Sequence, residues 1–340
     1  MAHNILENYP LKAHNTFGIE ARCRCFATYA SAEELKSMLP QLPRPLLHIG
    51  GGSNLLFLGD YPGTVLHSAI SDMQVSEKRD EVVLRVGAAW VWDELVAHCT
   101  AHGWHGLENL SLIPGEVGAA AVQNIGAYGS EVKDFVVQVE CMNLETGQLR
   151  TFSNEECRYG YRQSLFKTEG YRGQWAVLYV TLRLSKTFRP QLDYGGIRSE
   201  LERQGLKAES VSATELRQVI IGIRQAKLPD PHVQGNAGSF FMNPVVDRKV
   251  YEALAARYPQ MPHYEVGPEE VKIPAGWLIE QCGWKGRSLG PAAVHDRQAL
   301  VLVNLGGATG QDIVRLCEAV RHDVHERFGI DIHPEVNFIS

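Results

Sequence analysis

The sequence predicts an α+β chain, and three observations carry that prediction. Strand-like runs follow one another with few helices between them, the helices that do announce themselves are individually capped, and the glycine-rich segments do not open helices in the manner of a doubly wound sheet. At 340 residues the chain is too long for one small core and suits two or three modest domains.

The helices come first in the argument. Ser31 and Glu34 form a capping box ahead of Leu35, Met38 and Leu39. Ser212 and Glu215 do the same ahead of Leu216, Val219, Ile220 and Ile223, which recur at helical spacing. A third helix fits 311–328, with Ile313, Leu316, Cys317, Val320, Val324 and Phe328 on one face and Gly329 as its stop. Weaker patterns cover 91–102 and 247–257. Strands are expected at 45–49, 55–58, 64–67, 82–86, 135–142, 175–184, 299–303 and 332–339, with domain breaks near 71 and near 205–211.

Composition excludes several classes. The hydrophobic fraction is 44%, ordinary for a globular protein. Lysines and arginines number 33 against 39 acidic residues, for a net charge of −6 with no basic run, so neither a nucleic acid nor an anionic membrane surface is an expected partner. No apolar stretch is long enough to span a bilayer, and residues 1–18 lack the apolar centre of a signal peptide. The seven cysteines are scattered without a C-x-x-C pair, which reads as reduced thiols in a cytoplasm. No metal site is expected: His98 and His102 are four apart, but Cys99 stands where a metalloprotease motif needs glutamate.

Two glycine segments carry the chemistry. Gly50, Gly51, Gly52, Ser53 and Asn54 lie between two expected strands, where close backbone N–H groups can cradle a phosphate. A Walker loop would need a Gly-Lys pair, and a dinucleotide-fold fingerprint would need a helix directly afterwards; neither is present. A tight hairpin remains the plain alternative. The second segment, 113–129, holds four glycines and four alanines around Gln123 and Asn124, whose amides suit a heteroaromatic ring. Close packing of a helix on a sheet would also explain its alanines. Together the two segments favour a dinucleotide over a single phosphate.

The strings IGGGSNLLF, LSLIPGEVGAAAVQNIGAYG, CRYGYRQSLFK, KLPDPHVQGNAGSFFMNP and HPEVNFIS, in this order from residue 49 to 340, resemble the UDP-N-acetylenolpyruvoylglucosamine reductase family. The resemblance implies an FAD-binding fold of the vanillyl-alcohol-oxidase type. Its two α+β subdomains would span 1–71 and 72–211, with the segment 329–340 returning to the second, and an α+β substrate-binding domain would span 212–328. It places non-covalent FAD on Gly50, Gly51, Gly52, Ser53 and Asn54, and on Pro114, Gly115, Gly118, Gln123, Asn124, Ile125 and Gly126. Tyr194, followed by Gly195, resembles the longer subtype. Ala121 stands where many members have proline, a loss of φ restriction and of nothing chemical.

The implied reaction reduces an enol ether that carries a carboxylate, with NADPH as co-substrate and hydride passing through the flavin to the vinyl carbon. Three tasks then fall on the protein: holding the carboxylate, stabilising the enolate and delivering a proton. Arg162 suits the first two, because a guanidinium grips a carboxylate through two charge-assisted hydrogen bonds. By resemblance Ser239 is the proton donor and Glu335 the enolate partner. The diphosphate and sugar fall on Tyr194, Lys227, Asn243 and Gln298. Read without the resemblance, Arg162 is a surface ion pair, Ser239 a turn serine and Glu335 a solvated carboxylate. Two rivals are weighed: an oxidase of the same fold with covalent flavin, and a sugar-nucleotide-binding regulator without catalysis. The expected partners are small molecules, and the absence of a heptad seam is consistent with a monomer.

Overall fold

The computed structural model describes residues 4–340 and divides them into two compact units, one of 4–9, 23–51 and 62–226, the other of 10–22, 52–61 and 227–340.

In the first unit a four-stranded sheet has the order Asn4–Pro10, Arg22–Tyr29, Tyr61–Ser68, Leu46–Ile49, with the last two parallel and Leu46 opposite Thr64. Helix α1 (Ala32–Met38) starts where the sequence places it, with Ser31 accepting the Glu34 N–H at 3.1 Å. Tyr29, Leu35, Met38 and Leu66 pack with Met142, Leu144, Ala176 and Leu178 in one core.

The second sheet is fully antiparallel, in the order Leu149–Ser153, Val136–Asn143, Trp175–Ser185, Glu81–Gly87, Met73–Glu77. Its strand Glu81–Gly87 buries Val82, Leu84 and Val86 at alternate positions, the period-two pattern of a sheet with one covered face. Helices α2 (Trp92–Ala101) and α3 (Val117–Gln123) share that core through Trp92, Leu95, Val96, Val117, Ala120 and Ala121. Small residues in α3 are needed because a Cβ on Gly118 would lie 2.8 Å from the Ala88 Cβ. The helix-packing explanation of the alanines therefore holds for 117–123, a helix absent from the sequence prediction.

Helices α4 (Ile197–Arg203) and α5 (Ala213–Lys227) complete this unit's packing. Ser212 and Glu215 make the expected reciprocal cap, at 2.8 Å and 3.2 Å. Leu216, Val219, Ile220 and Ile223 bury against Leu192, Ile197, Leu201 and Val211, each apolar side chain contributing about 1.5–3 kcal/mol. The sequence put α5 at the head of the substrate domain, with a boundary at 211/212; by its contacts nearly all of it groups with the first unit, and the division falls at 226/227.

In the second unit, Asn236–Ser239, Val301–Asn304, Ala292–Val294 and Ser288–Leu289 form an antiparallel sheet in that order. Val245–Asp247, Glu270–Lys272 and Tyr264–Glu265 form another. Helices α6 (Arg248–Arg257), α7 (Ala275–Gln281) and α8 (Gly310–Phe328) follow. All six apolar residues named for the face of α8 are buried, a Thr309–Asp312 capping box opens it, and Gly329 closes it at φ +65°.

The expected strand 332–339 shortens to Asn337–Ile339, which runs parallel to Leu55–Phe57. Pro334 lacks a ladder N–H, so the preceding stretch makes only isolated bonds, with Phe240 and Met242. The returning strand therefore pairs within the segment 1–71 and not with 72–211, a correction to the sequence reading. Among the described residues no helix is long and apolar enough to cross a membrane.

Candidate flavin and catalytic site

The glycine loop follows the strand Leu46–Ile49. Gly50 and Gly51 belong to the first unit and Gly52, Ser53 and Asn54 to the second. In the first, a Cβ on Gly50 would lie 3.1 Å from the Ala119 Cβ, and one on Gly51 would lie 3.4 Å from the Gly115 Cα. Gly50 and Gly51 thus lie against 115–119 of the second glycine stretch, with the Glu116 side chain packed beside them. The glycine backbone there suits an extended planar dinucleotide. One acidic group stands beside it: the Glu116 carboxylate, whose Oε1 meets His67 Nε2 at 2.8 Å. In the second unit Gly52 adopts φ +67°, and its missing Cβ would fall 2.0 Å from the His14 carbonyl oxygen.

The second segment turns sharply at Asn124, which is fully buried at φ +46° and ends α3. Its side chain is spent inside the protein: Nδ2 donates to the Gly160 carbonyl at 2.8 Å and Oδ1 accepts the Lys133 N–H at 3.2 Å. Gln123 accepts from Lys167 Nζ at 3.0 Å, and the same ammonium donates to the Arg162 carbonyl at 2.7 Å. The amides thus shape the loop, a task that composition could not distinguish from ligand contact.

Arg162 sits in the first unit at φ +54°, rare for a residue with a side chain. Its Nη1 donates to the Asn124 carbonyl at 3.2 Å and its Nη2 to the Gly126 carbonyl at 2.6 Å. Arg224, on α5, lies in the electrostatic range of Arg162, Tyr128 and Asp93; burial lowers its pKa, opposed by Tyr128 and Asp93. Tyr194 lies in the same unit beside Gly129, and Gly195 is required because a Cβ there would fall 2.5 Å from the Tyr128 ring.

The second unit holds the other two catalytic candidates and brings them together. Ser239 ends the strand Asn236–Ser239 and is exposed. The next residue, Phe240, accepts the Glu335 N–H at 2.8 Å, so the serine and glutamate lie on bonded neighbouring segments. Upstream, a Cβ on Gly235 would meet the Phe17 carbonyl oxygen at 2.2 Å, and the Gly238 N–H donates to Asn236 Oδ1 at 2.9 Å. Asn243 and Gln298 both meet the start of α7: Asn243 Oδ1 accepts the Ala275 N–H at 2.9 Å, and Gln298 Oε1 lies 3.3 Å from where a Gly276 Cβ would be. Lys227 is the last residue of α5.

Sequence reasoning passed over Asp93, Tyr128, Lys167, Arg217 and Arg224. Only the last two had a signal, their seven-residue spacing along one capped helix. A cavity of about 770 Å³ in the first unit, lined by His105, Asn109, Phe135, Phe188, Arg189 and Gln191 among others, contains none of the expected site residues. His98 and His102 stack at 4.1 Å between centroids, with Trp104 against both. No group of three metal-ligating side chains occurs among the described residues.

Comparison with known proteins identifies the family. A model of an FAD binding domain matches residues 24–153, and a model of the UDP-N-acetylenolpyruvoylglucosamine reductase C-terminal domain matches 230–339. A solvent-stable cholesterol oxidase, 11% identical, superposes with a TM-score of 0.50 over 98% of this chain and 87% of its own, a likeness of fold alone. The fold and the matched FAD binding domain together define an FAD-dependent oxidoreductase. Its relatives narrow the class. The UDP-N-acetylenolpyruvoylglucosamine reductase of Bacteroides fragilis is 58% identical over 98% of this chain and 99% of its own. That of Burkholderia orbicola is 46% identical over 98% and 97%. The crystal structure of the Thermus caldophilus enzyme, 25% identical, covers both chains completely with a TM-score of 0.68. The chain belongs to the UDP-N-acetylenolpyruvoylglucosamine reductase family.

Proposed function

We propose that this reductase takes its electrons from NADPH and converts UDP-N-acetylglucosamine enolpyruvate to UDP-N-acetylmuramate, a peptidoglycan precursor, with Arg162, Ser239 and Glu335 as its catalytic residues. The observation that carries the assignment is the pairing of the Ser239 and Glu335 segments through the Glu335 N–H to Phe240 carbonyl bond. It sets a hydroxyl and a carboxylate, distant in sequence, on adjacent stretches of backbone.

FAD would be held on the two glycine segments without a covalent link, where it would supply the hydride chemistry. Arg162 grips the substrate carboxylate and neutralises the charge that builds there as the enolate forms. A guanidinium fixed by two carbonyls loses little freedom on engaging the carboxylate. Ser239 Oγ delivers its proton to the carbon next to the carboxylate. So weak an acid acts only against a strong developing base, which an enolate carbon is. Glu335 orients the enolate from the neighbouring segment. Tyr194, Lys227, Asn243 and Gln298 hold the diphosphate and sugar. The protein acts as a cytoplasmic monomer on small molecules.

The test is direct. Purified protein should carry flavin absorbance, and NADPH oxidation should depend on UDP-N-acetylglucosamine enolpyruvate. Colourless protein that FAD cannot reconstitute, or NADPH oxidation indifferent to the enolpyruvyl substrate, would overturn this reading. Yellow colour that stays with denatured protein would instead favour a covalent flavin oxidase.

A further inference from the structure

We propose that Asp93 and Arg217 are positioning residues for the flavin, acting through Leu112, whose left-handed backbone sets where Pro114 and Gly115 face the cofactor. The inference rests on the reading that the segment from Pro114 to Gly126 contacts FAD.

Leu112 stands at φ +57° with no structural excuse of its own. A leucine in the left-handed region is strained by its Cβ and persists only where its surroundings over-determine it. Both of its peptide groups are in fact held by side chains. Asp93 Oδ1 accepts the Leu112 N–H at 2.6 Å, and Arg224 Nε donates to the Leu112 carbonyl at 3.3 Å.

Asp93 is held in turn. Its Oδ2 meets Arg217 Nη2 at 2.9 Å, in a pair whose side chains are 25% and 11% exposed. Arg217 Nη1 is buried with no hydrogen-bond partner among the described residues. An ion pair kept for stability alone would be expected to satisfy that donor. What the pair does secure is the orientation of a carboxylate that grips a strained residue two positions before Pro114.

The surrounding backbone shows why this matters for the flavin segment. The Trp92 indole donates to the Leu110 carbonyl at 2.9 Å, the Trp92 N–H to the Gly115 carbonyl at 2.9 Å, and the Val117 N–H to the Trp90 carbonyl at 2.9 Å. The stretch 110–117 is therefore wrapped around the start of α2 and tied at both ends. Asp93 fixes its middle, at the residue where it bends. Arg217 and Arg224, seven residues apart, present one face of α5 to this bend, and Arg224 also reaches Tyr128, two residues past Gly126. Helix α5 thus braces the residues that flank the proposed flavin segment on either side.

The test uses holoenzyme and reads the flavin itself. Asp93→Ala should alter the shape of the visible flavin absorption band, shift its reduction potential and speed flavin release tenfold or more. Asp93→Asn keeps an acceptor for the Leu112 N–H and should restore most of the native spectrum. Adding Leu112→Gly to Asp93→Ala should also restore it, since glycine takes φ +57° without strain. A role in stability alone would not produce that rescue. Should Asp93→Ala fail to accumulate, Arg217→Met against Arg217→Lys reads the same spectrum, with the lysine closer to native. An unaltered flavin in these variants overturns the inference, as does an altered one that Leu112→Gly leaves unrestored. Gly115→Val separates the two levels. If it disturbs the flavin while the Asp93 and Arg217 variants do not, only the positioning role fails; if it too is silent, the placement of FAD on this segment fails.

Discussion

The side-chain amide of Asn54 donates to the backbone carbonyl of Glu335 at 3.3 Å, joining two residues 281 positions apart. Asn54 also accepts the Asn337 N–H on its own carbonyl at 3.1 Å, so the last residue of the glycine loop brackets the glutamate from one side. The end of the glycine loop, Gly52 to Asn54, and the proposed enolate partner are thereby mechanically one piece within the second unit. Asn54→Ala should cost about 1 kcal/mol of stability. It should slow reoxidation of the reduced flavin by substrate more than reduction by NADPH. Stopped-flow measurement of the two half-reactions checks this, and equal slowing would assign Asn54 to flavin binding alone.

Ser239→Ala separates the same two steps more sharply. Flavin reduction by NADPH should survive, because no proton from Ser239 enters it. Flavin reoxidation by substrate should fall by about 10²–10⁴, the range for loss of a positioned acid. Comparable loss in both steps would remove Ser239 from the proton-donor role.

Two glycines in the Ser239 segment should respond differently to alanine. At Gly235 the added carbon would meet the Phe17 carbonyl oxygen at 2.2 Å, so backbone must move. Gly238 has open space but stands at φ +68°. Gly235→Ala should therefore destabilise by about 3 kcal/mol or more, and Gly238→Ala by only about 1–2 kcal/mol. Denaturant midpoints at constant slope would show the order, and a reversal would mean that the close approach at Gly235 relaxes freely.

His48, whose Nε2 lies 2.6 Å from the Tyr29 hydroxyl, gives the protein an acid-sensitive point. Burial, aided by the nearby His67, lowers its pKa from 6.5 to about 4. The native state thus refuses a proton that the unfolded chain accepts below about pH 6.5. Stability contributed by neutral His48 is complete above that pH and is lost progressively as pH falls towards 4. The melting temperature should decline over this window, with a shallower slope in His48→Gln. An unchanged slope in the variant would place the acid sensitivity elsewhere.

What could be read from sequence was local and chemical. Ser31 and Ser212 start their helices, and the apolar face of α8 is buried residue for residue. These features depend on side chains a few positions apart, so spacing reveals them. The glycine segments were legible as sites of close approach, but not what approaches: at Gly118 it is Ala88, and at Gly52 it is His14. Both outcomes look alike in composition. The helix Val117–Gln123 was missed because alanines and glycine carry no apolar periodicity. Asn124 looked like a ligand amide because its real partners, Gly160 and Lys133, are joined to it only by the fold. The bend at Leu112 leaves no trace in sequence at all, since leucine is an unlikely choice for its conformation.

The parallel pairing of Asn337–Ile339 with Leu55–Phe57 bears on how the protein is made. Its two strands leave the ribosome far apart in time: at ordinary synthesis rates of about 5–20 residues per second, roughly 15 to 60 seconds separate them. Through that interval Leu55, Leu56 and Phe57 have no native partner strand on this side, although Leu56 and Phe57 end fully buried. The nascent chain therefore presents an adhesive apolar edge throughout that interval. The second unit is completed only once its later strand has emerged, and the protein's yield in a cell depends on what shields three residues while they wait.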